Sequence, residues 1–348
     1  MMNRRYTKPI SIGGVAVGGG APIAIQSMTK TDTRDAAATL EQIRRLKEAG
    51  CEIVRVAVPD MAAAKALPLI KRESPLPIIA DIHFDHRLAL AALEAGVDGL
   101  RLNPGNIRDK KKVREVVAAA KERQVPIRVG VNAGSVPQDL EPGQPLARRL
   151  VASALEHIRI LEDMDFDLIK VSVKAFDVAA TVEAYRLMAQ ERPYPLHLGI
   201  TEAGTPRAGA VRSAVGLGLL LWEGIGDTIR VSLTGDPCDE VAVAYDILKS
   251  LDLRQRGPVL ISCPTCGRIE TDLISLAYAV EERISKLNKP IKVAVMGCVV
   301  NGPGEAREAD VGLACGKGRG VLFRHGEMVR TVEEVDYLKA LMEEVEKV

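Results

Sequence analysis

Between Ile23 and Thr234 the chain repeats one pattern: a short apolar, β-branched run, a brief polar loop, then a longer Ala/Leu/Glu/Arg-rich stretch with helical spacing. The runs are Ile23–Met28, Glu52–Val58, Pro77–His83, Gly99–Pro104, Pro126–Asn132, Leu168–Lys174, Pro195–Thr201 and Thr228–Thr234. Eight β–α repeats in a segment near the usual ~250 residues predict a (β/α)8 TIM barrel. Ala49-Gly50 and Ala95-Gly96, each just ahead of the next run, suit a glycine stop at a helix C-terminus. A helix from about Cys238 to Leu251 is expected to close this first domain, residues 1–253, and the basic stretch Arg254–Pro258 reads as a linker.

The pattern then changes. Val259–Ser262 and Ile291–Met296 read as strands that each lead into cysteines, with a helix expected from about Asp272 to Leu287 between them. Val311–Leu313 and Gly320–Phe323 add strands, and a helix is expected over Glu333–Glu346, so residues 258–348 are predicted to form a small α+β domain.

Within the barrel runs polar residues recur at period 2, which places them on one face. Arg55 stands alone; Asp81 goes with His83, Arg101 with Asn103, Arg128 with Asn132, Lys170 with Ser172 and Lys174, His197 with Thr201, and Arg230 with Ser232. Branched apolar side chains normally fill a barrel lumen, so charged lumen positions belong to the C-terminal mouth, where active sites of this architecture lie. Six cations converging there repel by on the order of 1–4 kcal/mol per neighbouring pair, and Asp81 and Glu202 are too few to offset them. The implied partner is a small molecule with several negative charges, held by Arg forks on phosphate oxygens.

The second domain carries different chemistry. Cys263 and Cys266 of Cys263-Pro264-Thr265-Cys266, Cys298 in a Gly/Asn/Pro-rich loop, and Glu305 make three thiols and a carboxylate, a soft-metal donor set with one hard, exchangeable member. Spacing alone leaves three readings open: an iron–sulfur cluster, a zinc site, or a thiol redox pair. The single Cys298, in place of a second Cys-x-x-Cys, favours the cluster. Cys51 and Cys238 read as small buried hydrophobes, and Cys315 lies close enough in sequence to bear watching.

Composition narrows the class. A chain of 348 residues with 47% hydrophobic content suits a large domain plus a smaller one. A net charge of +1 and 3% aromatic residues argue against a nucleic-acid binder. No stretch approaches the ~18 apolar residues of a membrane span, and no export signal is evident, so a cytoplasmic protein with reduced thiols is expected.

Several long motifs resemble one family. Gln26-Ser27-Met28-Thr29, Arg55-Val56-Ala57-Val58-Pro59, Ala80-Asp81-Ile82-His83-Phe84-Asp85, Arg101-Leu102-Asn103-Pro104-Gly105-Asn106, Gly130-Val131-Asn132-Ala133-Gly134-Ser135, Lys170-Val171-Ser172-Val173-Lys174, Gly199-Ile200-Thr201-Glu202-Ala203-Gly204, the cysteine pair and Gly297-to-Glu305 are similar to those of the 4-hydroxy-3-methylbut-2-enyl diphosphate synthases, in their compact bacterial form. The resemblance implies a [4Fe-4S] cluster on Cys263, Cys266, Cys298 and Glu305, and reductive ring opening of 2-C-methyl-D-erythritol 2,4-cyclodiphosphate in the non-mevalonate isoprenoid pathway. It implies two electrons from reduced ferredoxin or flavodoxin, and a homodimer in which the cluster domain of one subunit caps the barrel of the other. The cationic mouth inferred from strand periodicity agrees with a dianionic substrate.

On this reading Arg55, Asp81, Arg101, Asn103, Arg128, Asn132, Lys170, Ser172, Lys174, Thr201, Arg230 and Ser232 hold substrate, with Arg268 and Asn301 contributing from the cluster side. Glu202 is the expected proton donor, helped by His83 or His197. Cys315 is outside the ligand pattern and is expected to be a bystander or an occasional wrong ligand. A Schiff-base aldolase using Lys170 or Lys174 is a rival enzyme, but it gives the C-terminal thiols no task. An iron–sulfur sensor or electron carrier is the rival from outside enzymology, and it leaves Glu202 without one.

Overall fold

The computed structural model describes residues 4–103, 106, 107, 109–137, 140, 142–287, 289–298, 300 and 302–348; Pro104 and Asn301, named above, lie outside the described residues. The chain divides into two units, Met1–Arg254 and Gln255–Val348.

The first unit begins with an antiparallel hairpin, β1 (Ile10–Ile12) and β2 (Val15–Val17). Eight strands follow: β3 (Ala24–Met28), β4 (Ile53–Val58), β5 (Ile78–Ile82), β6 (Gly99–Leu102), β7 (Ile127–Asn132), β8 (Ile169–Lys174), β9 (His197–Leu198) and β10 (Thr228–Ile229). They pair in the order β8-β7-β6-β5-β4-β3-β10-β9, and a parallel bridge from Val171 to Leu196 brings the two ends together, so the predicted barrel is present. β9 and β10 are shorter than their apolar runs suggested. Thr201 and Ser232 lie beyond the last ladder pair, in loops at the mouth.

Six of the eight helices that follow these strands start at an aspartate whose carboxylate accepts a backbone N–H: Asp35, Asp60, Asp85, Asp109, Asp177 and Asp236. Each such cap stabilises its helix by about 1 kcal/mol and fixes where the loop ends. Gly50 and Gly96 adopt φ of +100° and +79°, the left-handed stop expected of them.

Alternation along the strands sorts the core. Val54, Val56, Val58, Ile78, Ala80 and Ile82 pack outward against Leu40, Ile43, Leu46, Leu67 and Ile70 of the helix layer. Ile53 and Ile79 face the other way and meet Ala24 and the hairpin residues Ile10, Ile12 and Val17. The hairpin therefore plugs the N-terminal floor of the lumen. Charge begins one layer above it, at Arg55, Asp81 and Arg101, each two residues beyond Ile53, Ile79 and Gly99.

The second unit is a five-stranded sheet, β11 (Val259–Ser262), β12 (Lys292–Met296), β13 (Val311–Cys315), β14 (Arg319–Arg324) and β15 (Glu327–Glu333), in that order. The first three strands are parallel and the last three antiparallel. The helices Leu273–Ile284 and Tyr337–Glu346 pack into a core on Val293, Val295 and Leu313, while Ala306 of the short helix Gly302–Arg307 packs with Ala294, Met296 and Ala314. β15 escaped the sequence reading because it is an almost wholly exposed edge strand with no apolar run. It occupies Glu333, so the terminal helix begins later than expected, at Tyr337. Among the described residues no helix is long and apolar enough to cross a membrane.

Candidate active site

Four charged residues stand side by side around the barrel wall. Asp81, Arg101, Arg128 and Lys170 are successive Cα partners across β5, β6, β7 and β8, so their side chains share the lumen face. Asn132 and Lys174 form a second such pair, nearer the mouth. The period-2 reading therefore holds, with one difference: Arg128 and Lys170 are 3% and 1% exposed, so the charge extends well below the rim.

Asp81 organises two of the cations. Its Oδ1 accepts from Arg101 Nη1 at 3.1 Å, and its Oδ2 lies 3.4 Å from Arg55 Nε. Burial alone would raise its pKa; Arg55, Arg101 and Arg128 together outweigh burial and hold it at about 2. Arg101 Nη2 also donates to Gly130 O at 3.0 Å. Arg128 differs: Nη1 donates to Ser172 Oγ at 2.5 Å, while its buried Nε and Nη2 have no acceptor among the described residues. Lys170 Nζ reaches Gln26 Oε1 at 3.3 Å. Burial, and after it the surrounding arginines, push the pKa values of Arg128, Lys170 and Lys174 well down. Buried donors without acceptors and cations short of counter-charge describe a site built for an anion.

Two glycines make room for these head groups. A Cβ at Gly130 would lie 2.9 Å from both Arg101 Nε and Arg128 Nη1, and one at Gly199 would lie 2.5 Å from Lys174 Nζ.

The proton candidates occupy different levels. Glu202 is exposed at the mouth, in a left-handed conformation with φ +54° that costs a non-glycine residue about 1 kcal/mol. It lines an open cavity of about 280 Å³ with Lys30, Arg230, Ser232 and Glu240. His83 is half-buried, beside the exposed ring of Phe84. His197 lies deeper than the mouth position expected of it: it pairs with Thr228, itself the Cα partner of the floor residue Ala24. Its Nδ1 shares a hydrogen bond with Thr228 Oγ1 at 2.8 Å, and burial followed by Lys174 and Arg128 keeps the imidazole neutral. Asn103 is buried, with Nδ2 donating to Ser135 Oγ at 3.1 Å, and Thr201 is half-buried.

Glu240, Lys30 and Met28 were missed by the sequence reading. Glu240 is a carboxylate on an otherwise apolar helix stripe, which is the signal that marks it. Met28 Sδ accepts from Arg55 Nη2 at 3.0 Å and from Arg230 Nη1 at 3.6 Å, a soft acceptor between two guanidinia.

In the second unit the parallel pairing of β11 and β12 delivers both cysteine loops to one end of the sheet. Cys263, Cys266, Cys298 and Glu305 line one cavity of about 230 Å³, together with Arg268 and Gly297. Gly297 N donates to Cys263 Sγ at 3.3 Å, the kind of bond that tunes a thiolate ligand. All six cysteines are free thiols. Among the described residues no three His, Cys, Asp or Glu side chains are grouped closely enough to hold a single metal ion. Cys315 is fully buried in the sheet core with Val311 and Leu313, its thiol pushed up to about 12 by burial.

Residues 7–245 match the family model described as GcpE TIM-barrel domain, and residues 259–347 match that of the GcpE protein C-terminal domain. A 4-hydroxy-3-methylbut-2-en-1-yl diphosphate synthase (flavodoxin) of Geobacter sulfurreducens is 63% identical over 344 residues, covering 98% of each chain. Its namesake in Dehalococcoides mccartyi is 61% identical over 345 residues, 99% of each. Among solved structures, a dihydropteroate synthase from Xanthomonas albilineans aligns with TM-score 0.52 at 15% identity over 71% of this chain and 97% of its own, a likeness of fold alone. With both units matched and relatives this similar along the whole length, the chain belongs to the GcpE family of 4-hydroxy-3-methylbut-2-en-1-yl diphosphate synthases.

Proposed function

We propose that this protein reduces 2-C-methyl-D-erythritol 2,4-cyclodiphosphate to (E)-4-hydroxy-3-methylbut-2-enyl diphosphate. The net change takes up two electrons and two protons, opens the ring at a C–O bond and releases one water. The observation that carries this reading is the in-register row of Asp81, Arg101, Arg128 and Lys170, in which Arg101 Nε and Arg128 Nε and Nη2 are buried without an acceptor among the described residues. A dianionic diphosphate supplies both the charge and the acceptors that such a lumen needs.

Arg128, Ser172, Lys174 and Asn132 take one side of the diphosphate, and Arg55, Arg101, Arg230 and Ser232 the other, with Lys170 beneath and Asn103 and Thr201 at the rim. Asp81 keeps two guanidinia aimed instead of splayed by mutual repulsion. Cys263, Cys266, Cys298 and Glu305 hold a [4Fe-4S] cluster, Glu305 being the exchangeable member because a carboxylate is the weakest soft-metal donor of the four. When bound, that cluster supplies electrons one at a time, drawn from reduced flavodoxin as in the relatives' names, or from ferredoxin as the alternative of the same class. Arg268, which lines the cavity of the four donors, and Asn301, which lies between Cys298 and Glu305 in the sequence, are assigned to substrate as well. Glu202 donates the proton to the departing hydroxyl, helped by His83; His197, neutral and deep, serves by orienting the lumen through Thr228.

Reduced thiols suit a reducing compartment, which supports a cytoplasmic location. A homodimer fits the helix Pro206–Trp222, which presents Val211, Val215, Leu219 and Trp222 to solvent as an apolar stripe that a second copy would cover. The direct test is anaerobic turnover of the cyclic diphosphate with reduced flavodoxin, with Glu202→Gln alongside. Release of the linear allylic diphosphate by the wild type supports the reading, and full turnover by Glu202→Gln with normal iron content would remove Glu202 as proton donor.

A further inference from the structure

Glu240 lies on the first turn of the helix Pro237–Ser250, on the stripe it shares with Val241, Ala244, Ile247 and Leu248, and its side chain is 1% exposed. A carboxylate there costs several kcal/mol of desolvation unless its oxygens are satisfied. Oε1 accepts from Leu233 N at 3.1 Å and lies 3.1 Å from Lys30 Nζ. Oε2 accepts from Ser27 Oγ at 3.2 Å and from Arg230 Nη2 at 3.5 Å. Lys30 Nζ in turn donates to Leu233 O at 2.8 Å and to Gly235 O.

These contacts sit where the strand ladder has ended. β3 and β10 share two Cα pairs, Ala24 with Thr228 and Ile25 with Ile229, so Arg230 and Ser232 lie beyond the last pair. Above that point Glu240 links Ser27 and Lys30 on one side of the seam to Leu233 and Arg230 on the other, beside the direct bonds of Lys30 to Leu233 O and Gly235 O and of Arg230 to Met28 Sδ.

We propose that Glu240 is a positioning residue: by gathering Ser27, Lys30, Leu233 and Arg230 it fixes the β3–β10 edge of the mouth, and with it the Arg230 and Ser232 that hold the diphosphate. The inference rests on the diphosphate reading above. Its two consequences for binding have opposite signs. The negative charge of Glu240 repels a bound dianion, so charge alone predicts tighter binding when it is removed; the geometry predicts weaker binding.

Steady-state kinetics of the anaerobic holoenzyme separate the two, using the cyclic diphosphate and reduced flavodoxin with wild type, Glu240→Gln, Arg230→Met and the double variant. Positioning predicts that Glu240→Gln raises KM about tenfold with kcat within about threefold, and adds little further loss on top of Arg230→Met. An unchanged or lower KM overturns the proposal. So does a lower kcat at unchanged KM with less iron bound, which is the mark of a merely structural role. Should Glu240→Gln fail to fold, Glu240→Asp keeps the charge but withdraws the carboxylate from Ser27 and Lys30, and is expected to give the same rise in KM. A wild type without turnover would strike the diphosphate reading itself, whereas an active wild type matched by Glu240→Gln would strike Glu240 alone.

Discussion

Asp81 and Arg101 are Cα partners on neighbouring strands, and Arg101 Nη1 stands 3.1 Å from Asp81 Oδ1 inside the barrel. With Arg55 Nε 3.4 Å from its other oxygen, one buried anion holds two guanidinia. Removing a single partner from a buried ion pair strands the others, at a cost on the order of 3 kcal/mol. Asp81→Asn is therefore expected to lose about that much stability at pH 7, read as a lower denaturant midpoint with unchanged slope. The carboxyl is held at about 2, below its ordinary 3.8, so its stabilising contribution is present above that ordinary value and is lost as pH falls through about 2. The wild type should lose about 2 kcal/mol over that acid window, and Asp81→Asn should lack that component.

Gly130 sits under two of the arginines, with no room for a methyl group between Arg101 Nε and Arg128 Nη1. Gly130→Ala is expected to displace both head groups, raising KM for the cyclic diphosphate by tenfold or so, while overpacking costs on the order of 1–3 kcal/mol of stability. A variant with wild-type KM would show that these guanidinia do not grip the substrate from where they stand.

Burial and like charge depress Lys174 and Lys170 below the ordinary lysine value of 10.5. A bound dianion restores part of that value, so binding takes up protons on the alkaline side, wherever the free enzyme has lost them and the complex has not. Calorimetric titration of the cyclic diphosphate in two buffers of different ionisation heat should show net proton uptake with a maximum between the free and bound lysine pKa values. Proton release would contradict this picture of the lumen.

The barrel was legible because its strands are buried on both faces and its helices on one, so the two periods alternate cleanly down the chain. Lumen residues such as Arg128 and Lys170 stood out as charge at period 2 inside apolar runs. Glu240 did not, because it reaches the β3–β10 edge of the mouth from a helix, and nothing local in sequence says which strand a helix residue will meet. His197 shared the strand-end signature of His83, yet its level in the lumen depends on the stagger between β9, β10 and β3, a property of barrel closure. The exposed edge strand β15 has no apolar run to betray it.

The central claim is that an anion-binding barrel and a four-donor cluster pocket belong to one reductive reaction. The measurement that tests it most directly is iron and sulfide content with low-temperature EPR on protein purified without oxygen, before and after adding the cyclic diphosphate with a strong reductant. About four irons and four sulfides per chain, with a signal that changes when substrate is added, is the predicted result; stoichiometric zinc without iron, or a cluster signal indifferent to substrate, would contradict it.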